Sequence, residues 1–127
     1  MANLTQSPGH NATILMVDDH EDTSRAMKRL LEKLGYQVKV ANSVQSALGV
    51  ADAVPFDLLI SDIGLPDGSG LDLMRQLLGR RPVKGIALSG YNMEEDVRKS
   101  KEAGFAEHLA KPVDFGELAQ AIRELIG

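Results

Sequence analysis

The chain has 127 residues, of which 43% are apolar and 25% are charged, and it contains no cysteine. This length and composition are typical of one globular domain, and the lack of cysteine excludes disulfides, thiolate catalysis and zinc–thiolate sites. The net charge of -4 argues against direct binding to nucleic acid. No apolar run is long enough to cross a bilayer and no signal peptide is recognisable, so a cytoplasmic location without membrane contact is expected.

The N-terminal segment differs in composition from the rest of the chain. Residues 1–11, MANLTQSPGHN, are polar, include Pro and Gly and show no periodicity, so they predict a flexible tail or linker. The remaining residues, 12–127, are expected to form the domain. Five short segments within it predict strands: ATILMV, YQVKVA, FDLLISD, KGIALSG and FAEHLA. The unbroken apolar run ATILMV is typical of a strand buried on both faces, whereas YQVKVA alternates like a more exposed strand.

Each predicted strand is followed by a segment whose apolar residues have helical spacing. Ser43 and Asp114 stand at helix starts, where their side chains can accept hydrogen bonds from backbone N–H groups. Asp67 and Asp72 are expected to favour the helix that follows them. Five strands alternating with five helices predict an α/β fold with a doubly wound parallel sheet, and ligands bind such sheets at the carboxyl ends of the strands.

Polar side chains stand at the ends of four predicted strands. Asp18 and Asp19 follow the first strand, Asp62 ends the third, Ser89 ends the fourth and Lys111 follows the fifth. Adjacent carboxylates raise each other's pKa unless a cation lies between them, so we expect Mg²⁺ to be held by Asp19 and Asp62, with Asp18 acting through water. Asp62 is then the predicted nucleophile for a phosphoryl group, and Lys111 and Ser89 would contact the phosphoryl oxygens.

The motifs VDDH, SDIGLPDGSG, LSGY and AKP occur in the order and at the strand ends that are typical of one family. Over residues 12–126 the chain resembles the receiver domain of two-component response regulators. The resemblance implies a flavodoxin-like sheet with strand order 2-1-3-4-5 and Mg²⁺-dependent transfer to Asp62 from a phosphohistidine on a histidine kinase or phosphotransfer protein. It also implies that the backbone carbonyl of Gly64 completes the metal site and that the Lys111–Pro112 bond is cis.

The resemblance further implies a switch and two tuning positions. In the family, the residue corresponding to Ser89 moves inward and an aromatic residue follows it, but here that position holds His108. The imidazole either is tolerated in a partly exposed strand or makes the output sensitive to pH, because histidine changes charge near neutral pH. Gly64 and Tyr91 occupy the positions that tune loss of the phosphoryl group, and Tyr91 either covers the site or is an ordinary loop residue.

Two other functions use similar residues. A Mg²⁺-dependent phosphatase with an aspartyl nucleophile shares the chemistry, but such enzymes resemble a D-x-D arrangement that the adjacent pair Asp18 and Asp19 does not match. An interaction module independent of phosphorylation would be expected to lack the acceptor, an acid or the lysine, and this chain lacks none of them. A dinucleotide-binding fold is disfavoured because the glycine-rich turn after the first strand is missing. We therefore expect a signalling switch rather than an enzyme with a separate substrate.

The expected output is partner binding. Only Gly127 follows Ile126, so the sequence is interpreted as a free-standing regulator or as a receiver from a larger hybrid histidine kinase. The candidate surface for a downstream protein comprises the fourth helix, the fifth strand and the fifth helix. The fourth helix has few apolar positions, mainly Met93 and Val97, and this composition suits either a helix that shifts between states or a solvated one.

Overall fold

The structure is a computed structural model that describes residues 12–90 and 94–127, so the predicted tail, residues 1–11, lies outside the described residues. No helix in these two ranges combines the length and apolar character that a bilayer span requires. The strands are β1 (Thr13–Val17), β2 (Gln37–Ala41), β3 (Leu58–Asp62), β4 (Gly64–Leu65), β5 (Gly68–Ser69), β6 (Gly85–Ser89) and β7 (Glu107–Ala110). The helices are α1 (Glu21–Lys33), α2 (Val44–Ala53), α3 (Gly70–Leu78), α4 (Glu94–Ala103) and α5 (Phe115–Ile126).

The main sheet has five strands in the order β2-β1-β3-β6-β7, and every neighbouring pair is parallel. Since β6 and β7 are the fourth and fifth strands of this sheet along the chain, the predicted order 2-1-3-4-5 is confirmed. The sequence did not predict β4 and β5, two antiparallel strands of two residues each in the loop after β3. This hairpin stands apart from the main sheet.

Two apolar clusters, one on each face of the sheet, hold the helices in place. Alternate residues of β1 supply both clusters: Ile14 packs on the face covered by α1 and α5, and Leu15 packs on the face covered by α2 and α3. Both side chains are fully buried. Because β1 and β3 are covered on both faces, their sequences are continuous apolar runs. Each large side chain buried in this way contributes about 1.5–3 kcal/mol.

The predicted helix starts at Ser43 and Asp114 are confirmed. Ser43 Oγ accepts a hydrogen bond from Ser46 N at 3.1 Å, and Asp114 Oδ1 accepts one from Glu117 N at 3.0 Å. Each side chain therefore satisfies a backbone donor that the first turn of its helix leaves without a partner.

The prediction for Asp67 was wrong, whereas Asp72 lies in the first turn of α3 as expected. Asp67 accepts hydrogen bonds from the backbone N–H groups of Val44 at 2.7 Å and Gln45 at 3.0 Å, so it caps α2, which precedes it in sequence. Both bonds lower the pKa of Asp67 below its ordinary value, and the bond from Val44 has the larger effect. The β4–β5 hairpin accounts for the difference, because it carries Asp67 to the start of α2.

Candidate functional site

The carboxyl ends of the central strands bring the predicted site residues to one edge of the sheet. Asp18 and Asp19 follow β1, and Asp62 is the last residue of the neighbouring strand β3. On the other side of β3, Ser89 ends β6, and its carbonyl oxygen accepts a hydrogen bond from the backbone N–H of Lys111 at 2.8 Å. The strand order therefore places Asp62 between the two acids of β1 and the lysine that follows β7.

Three carboxylates and one imidazole form a compact group at this edge. Asp18, Asp19, His20 and Asp62 each offer an oxygen or nitrogen atom, and these four atoms lie within 4.8 Å of one another. Asp18 and Asp62 are buried, with 4% and 2% of their surface exposed, whereas Asp19 and His20 face solvent. His20 was not predicted as a site residue. The structure thus brings together the three acids that the sequence singled out.

The buried carboxyl of Asp62 lies between opposite charges. Its Oδ1 forms an ion pair with Lys111 Nζ, but no donor in the described ranges makes a hydrogen bond of regular geometry to this atom. Burial raises the pKa of Asp62 from 3.8 to about 6; Lys111 lowers this pKa, and the negative charge of Asp18 raises it. The residues fit a divalent cation, since such an ion would stabilise the ionised form of Asp62 and offset the negative charge of the neighbouring acids.

Comparison with known proteins identifies the family. Residues 14–123 match the sequence model of the response regulator receiver domain. The chain belongs to the receiver-domain family. It is 32% identical over 123 residues to the photosynthetic apparatus regulatory protein RegA of Rhodovulum sulfidophilum, a match that covers 96% of this chain and 67% of RegA.

Two further relatives show how such domains occur. The receiver domain is 32% identical over 117 residues to the sensory/regulatory protein RpfC of Xanthomonas campestris pv. campestris, covering 88% of this chain but only 16% of RpfC. The crystal structure of a CheY-like receiver domain protein from Methanospirillum hungatei JF-1 has a TM-score of 0.84 and 33% identity, and the match covers 90% of this chain and 92% of that one. The fold is therefore found both in short chains and within much longer proteins.

A close backbone contact fixes the position of Asp62 in the receiver domain. A Cβ atom placed on Gly70 would lie 2.1 Å from the carbonyl oxygen of Asp62 and 3.0 Å from Ser61 Oγ, so only glycine fits at this position. The N–H of Gly70 donates to the carbonyl oxygen of Ile63 at 2.7 Å, which holds the first turn of α3 against the end of β3. Gly70 was not singled out from the sequence, although the run GSG marked the loop.

The predicted switch residues lie on either side of a small cavity. Ser89 is buried at the end of β6, and His108 is half-buried in β7. A side chain that the sequence did not single out joins His108 to α4: Ser100 is fully buried, and its Oγ lies 2.9 Å from His108 Nδ1, within hydrogen-bonding distance. The cavity, of about 60 Å³, is lined by Ile63, Leu71, Ser89, Asp96, Lys99 and His108.

The remaining predicted features have different outcomes. The Lys111–Pro112 bond is cis, as the resemblance implied. Gly64 begins β4 and is exposed, with backbone pairing to Ser69, and the ligand role of its carbonyl stays a prediction. Tyr91 lies outside the described residues, and its tuning role stays a prediction.

An open cavity of about 390 Å³ adjoins the acidic group on the side of α1. Apolar side chains, including Met16, Met27 and Leu88, line part of it, and Asp18 and Lys111 stand among its polar lining residues.

Proposed function

We propose that this receiver domain accepts a phosphoryl group on Asp62 from a phosphohistidine of a histidine kinase or phosphotransfer protein, and that the resulting aspartyl phosphate changes partner binding. One observation carries the proposal: Asp62 is a buried carboxyl with a raised pKa, set between Lys111 and the acids of β1 at the strand ends. Carboxyls with strongly shifted pKa values are concentrated at functional sites, where burial and neighbouring charges tune them for chemistry.

The reaction forms one bond and breaks another. An ionised oxygen of Asp62 attacks the phosphorus, the phosphorus–nitrogen bond of the donor breaks, and the electron pair leaves with the imidazole nitrogen. Mg²⁺, held by Asp19, Asp62 and the carbonyl of Gly64 with Asp18 acting through water, would offset the negative charge of the acids and of the phosphoryl oxygens. The ammonium of Lys111 then neutralises a phosphoryl oxygen, and the hydroxyl of Ser89 donates a hydrogen bond to another.

The phosphoryl group would alter the receiver domain through Ser89 and His108. Movement of Ser89 toward the phosphoryl oxygen changes the cavity between β6 and α4, and the contact of His108 with Ser100 transmits that change to α4. The output surface is accordingly the face formed by α4, β7 and α5. If His108 makes this switch sensitive to pH, the phosphorylation-induced change in α4 will differ between pH 6 and pH 8, whereas equal changes would remove that idea.

Tuning of the phosphorylated state belongs to the same proposal. By resemblance to the family, Gly64 would leave water a path to the aspartyl phosphate and Tyr91 would cover the site. Tyr91→Ala should therefore change the lifetime of the phosphorylated protein, and an unchanged half-life would assign Tyr91 no tuning role. The receiver domain would act in this way either as a free-standing regulator or within a hybrid histidine kinase.

The test is phosphorylation by a small donor. The protein is incubated with acetyl phosphate and Mg²⁺, and its intact mass is measured for wild type, Asp62→Asn and the control Asp72→Asn, whose carboxylate is exposed on α3. Wild type and the control should gain one phosphoryl group, and Asp62→Asn should gain none. Labelling of Asp62→Asn equal to that of wild type would contradict the proposal. Repeated turnover of a small phosphoester without stable labelling would favour the phosphatase instead.

A further inference from the structure

His20 occupies the start of α1 without performing the usual task of that position. It is the N-cap residue of α1, where Ser, Thr, Asp or Asn normally accepts a backbone N–H, and its side chain makes no such bond. Nor does the imidazole pack in the core, since 68% of its side chain is exposed. Neither capping nor burial therefore explains where this ring lies.

The ring points instead at the two acids that precede it. Nδ1 of His20 lies 3.2 Å from Asp18 Oδ1 and 3.2 Å from Asp19 Oδ1, while the backbone N–H of His20 donates to Asp18 Oδ1 at 2.8 Å. A single ring N–H cannot make two good hydrogen bonds in different directions, so a proton on Nδ1 satisfies only one of the two carboxylates. A cation bound by His20 and Asp19, with Asp18 acting through water, would use all three side chains.

The distances agree with a shared ion. Ligand atoms that occupy adjacent positions around a divalent cation at about 2.1 Å lie roughly 3 Å apart. The separation of 3.2 Å between His20 Nδ1 and Asp19 Oδ1 matches that spacing, and the atom offered by Asp62 lies within 4.8 Å of the other three. The buried Asp62 Oδ1, which is paired with Lys111 but accepts no regular hydrogen bond in the described ranges, supplies a further carboxylate oxygen at the same place.

We propose that His20 supplies an imidazole nitrogen to the divalent cation of this site, so that the receiver domain binds Zn²⁺ and similar borderline metal ions in competition with Mg²⁺. The inference rests on the proposed metal site and deepens it. Mg²⁺ prefers oxygen ligands and gains little from an imidazole, whereas Zn²⁺ binds imidazole nitrogen well. His20 therefore sets the selectivity of the site among metal ions rather than its ability to bind one.

The test measures metal affinity without reference to phosphorylation. Mg²⁺ and Zn²⁺ are titrated calorimetrically into wild type, His20→Ala and a matched control, His10→Ala, which removes another of the three histidines in the sequence. His20→Ala should weaken Zn²⁺ binding at least about tenfold, because even residues that only orient a metal ligand are worth roughly ten- to a hundredfold. Mg²⁺ binding should be little changed, and His10→Ala should match wild type. If His20→Ala weakened Zn²⁺ and Mg²⁺ binding equally, or weakened the binding of neither ion, the inference would be overturned.

A spectroscopic measurement reports the bond itself. In long-range proton–nitrogen NMR spectra, the Nδ1 signal that disappears in His20→Ala should shift much further when Zn²⁺ is added to wild type than when Mg²⁺ is added, because only Zn²⁺ binds the nitrogen itself. A Zn²⁺-dependent shift confined to another histidine would overturn the proposal. Asp19→Asn separates this inference from the proposed function: if it weakens both ions while His20→Ala changes neither, the metal site stands and only the role of His20 is lost.

Discussion

Ionisation of Asp62 should destabilise the metal-free protein. Burial, with a smaller contribution from Asp18, raises the pKa of Asp62 from 3.8 to about 6 in the folded state. The folded protein therefore holds the proton at pH values where the unfolded chain has released it, so the free energy of unfolding falls as the pH rises through this window. A shift of this size corresponds to a loss of about 3 kcal/mol between roughly pH 4 and pH 6.

Asp62→Asn isolates this effect because an amide of the same shape does not titrate. Urea unfolding is followed by circular dichroism in EDTA at several values between pH 4 and pH 8, for wild type, Asp62→Asn and Asp72→Asn. The free energy of unfolding of Asp62→Asn, measured relative to that of wild type, should grow by up to about 3 kcal/mol between roughly pH 4 and pH 6 and then level off. This difference is the advantage of the variant. Saturating Mg²⁺ should reduce it, since the ion binds the folded wild type. An advantage that is independent of pH, or one that shrinks as the pH rises, would refute the reasoning, and Asp72→Asn should show no such trend.

Two further predictions concern packing around the site. Gly70→Ala should lower the free energy of unfolding by about 1–3 kcal/mol and prevent phosphorylation, because its Cβ would lie 2.1 Å from the Asp62 carbonyl oxygen. The control Gly49→Ala should raise the free energy of unfolding by up to about 1 kcal/mol, because no atom lies within 4 Å of the new Cβ. Chemical unfolding of both variants checks this, and changes of the same sign in the two variants would contradict it. Ser100→Ala should lower the free energy of unfolding by about 1–3 kcal/mol and speed amide hydrogen exchange in α4, because it removes the buried hydroxyl that contacts His108. Unchanged exchange in α4 would show that this contact does not hold the helix.

Local sequence patterns predicted the main sheet well because its central strands, β1, β3 and β6, are buried on both faces. The runs around Ile14 and Leu59 are apolar throughout, and such runs arise where helices cover both sides of a parallel strand. The β4–β5 hairpin escaped prediction because strands of two residues have no measurable periodicity. The capping of α2 by Asp67 escaped prediction for another reason. Asp67 lies 23 positions after Val44 and 22 after Gln45 in the sequence, and the hairpin brings it to both of them.

The candidate site likewise contains residues that could be predicted from the sequence and residues that could not. Asp18, Asp19, Asp62 and Lys111 could be predicted because each stands at the end of a strand, and the strand ends of a parallel sheet share one edge. His20 and Ser100 could not. The direction of an exposed imidazole depends on its rotamer, and Ser100 belongs to a helix whose sequence, EEDVRKSKEA, looks solvated, although the serine itself is fully buried.

Chemical trapping of the acyl phosphate reveals whether Asp62 forms a covalent bond to phosphorus. The protein is treated with acetyl phosphate and Mg²⁺ and then with borohydride, which reduces an acyl phosphate to an alcohol and converts the modified aspartate to homoserine. Peptide mass spectrometry should find homoserine at position 62 alone, and none when EDTA replaces Mg²⁺. Homoserine at Asp18 or Asp19, or no conversion in the presence of Mg²⁺, would contradict the account.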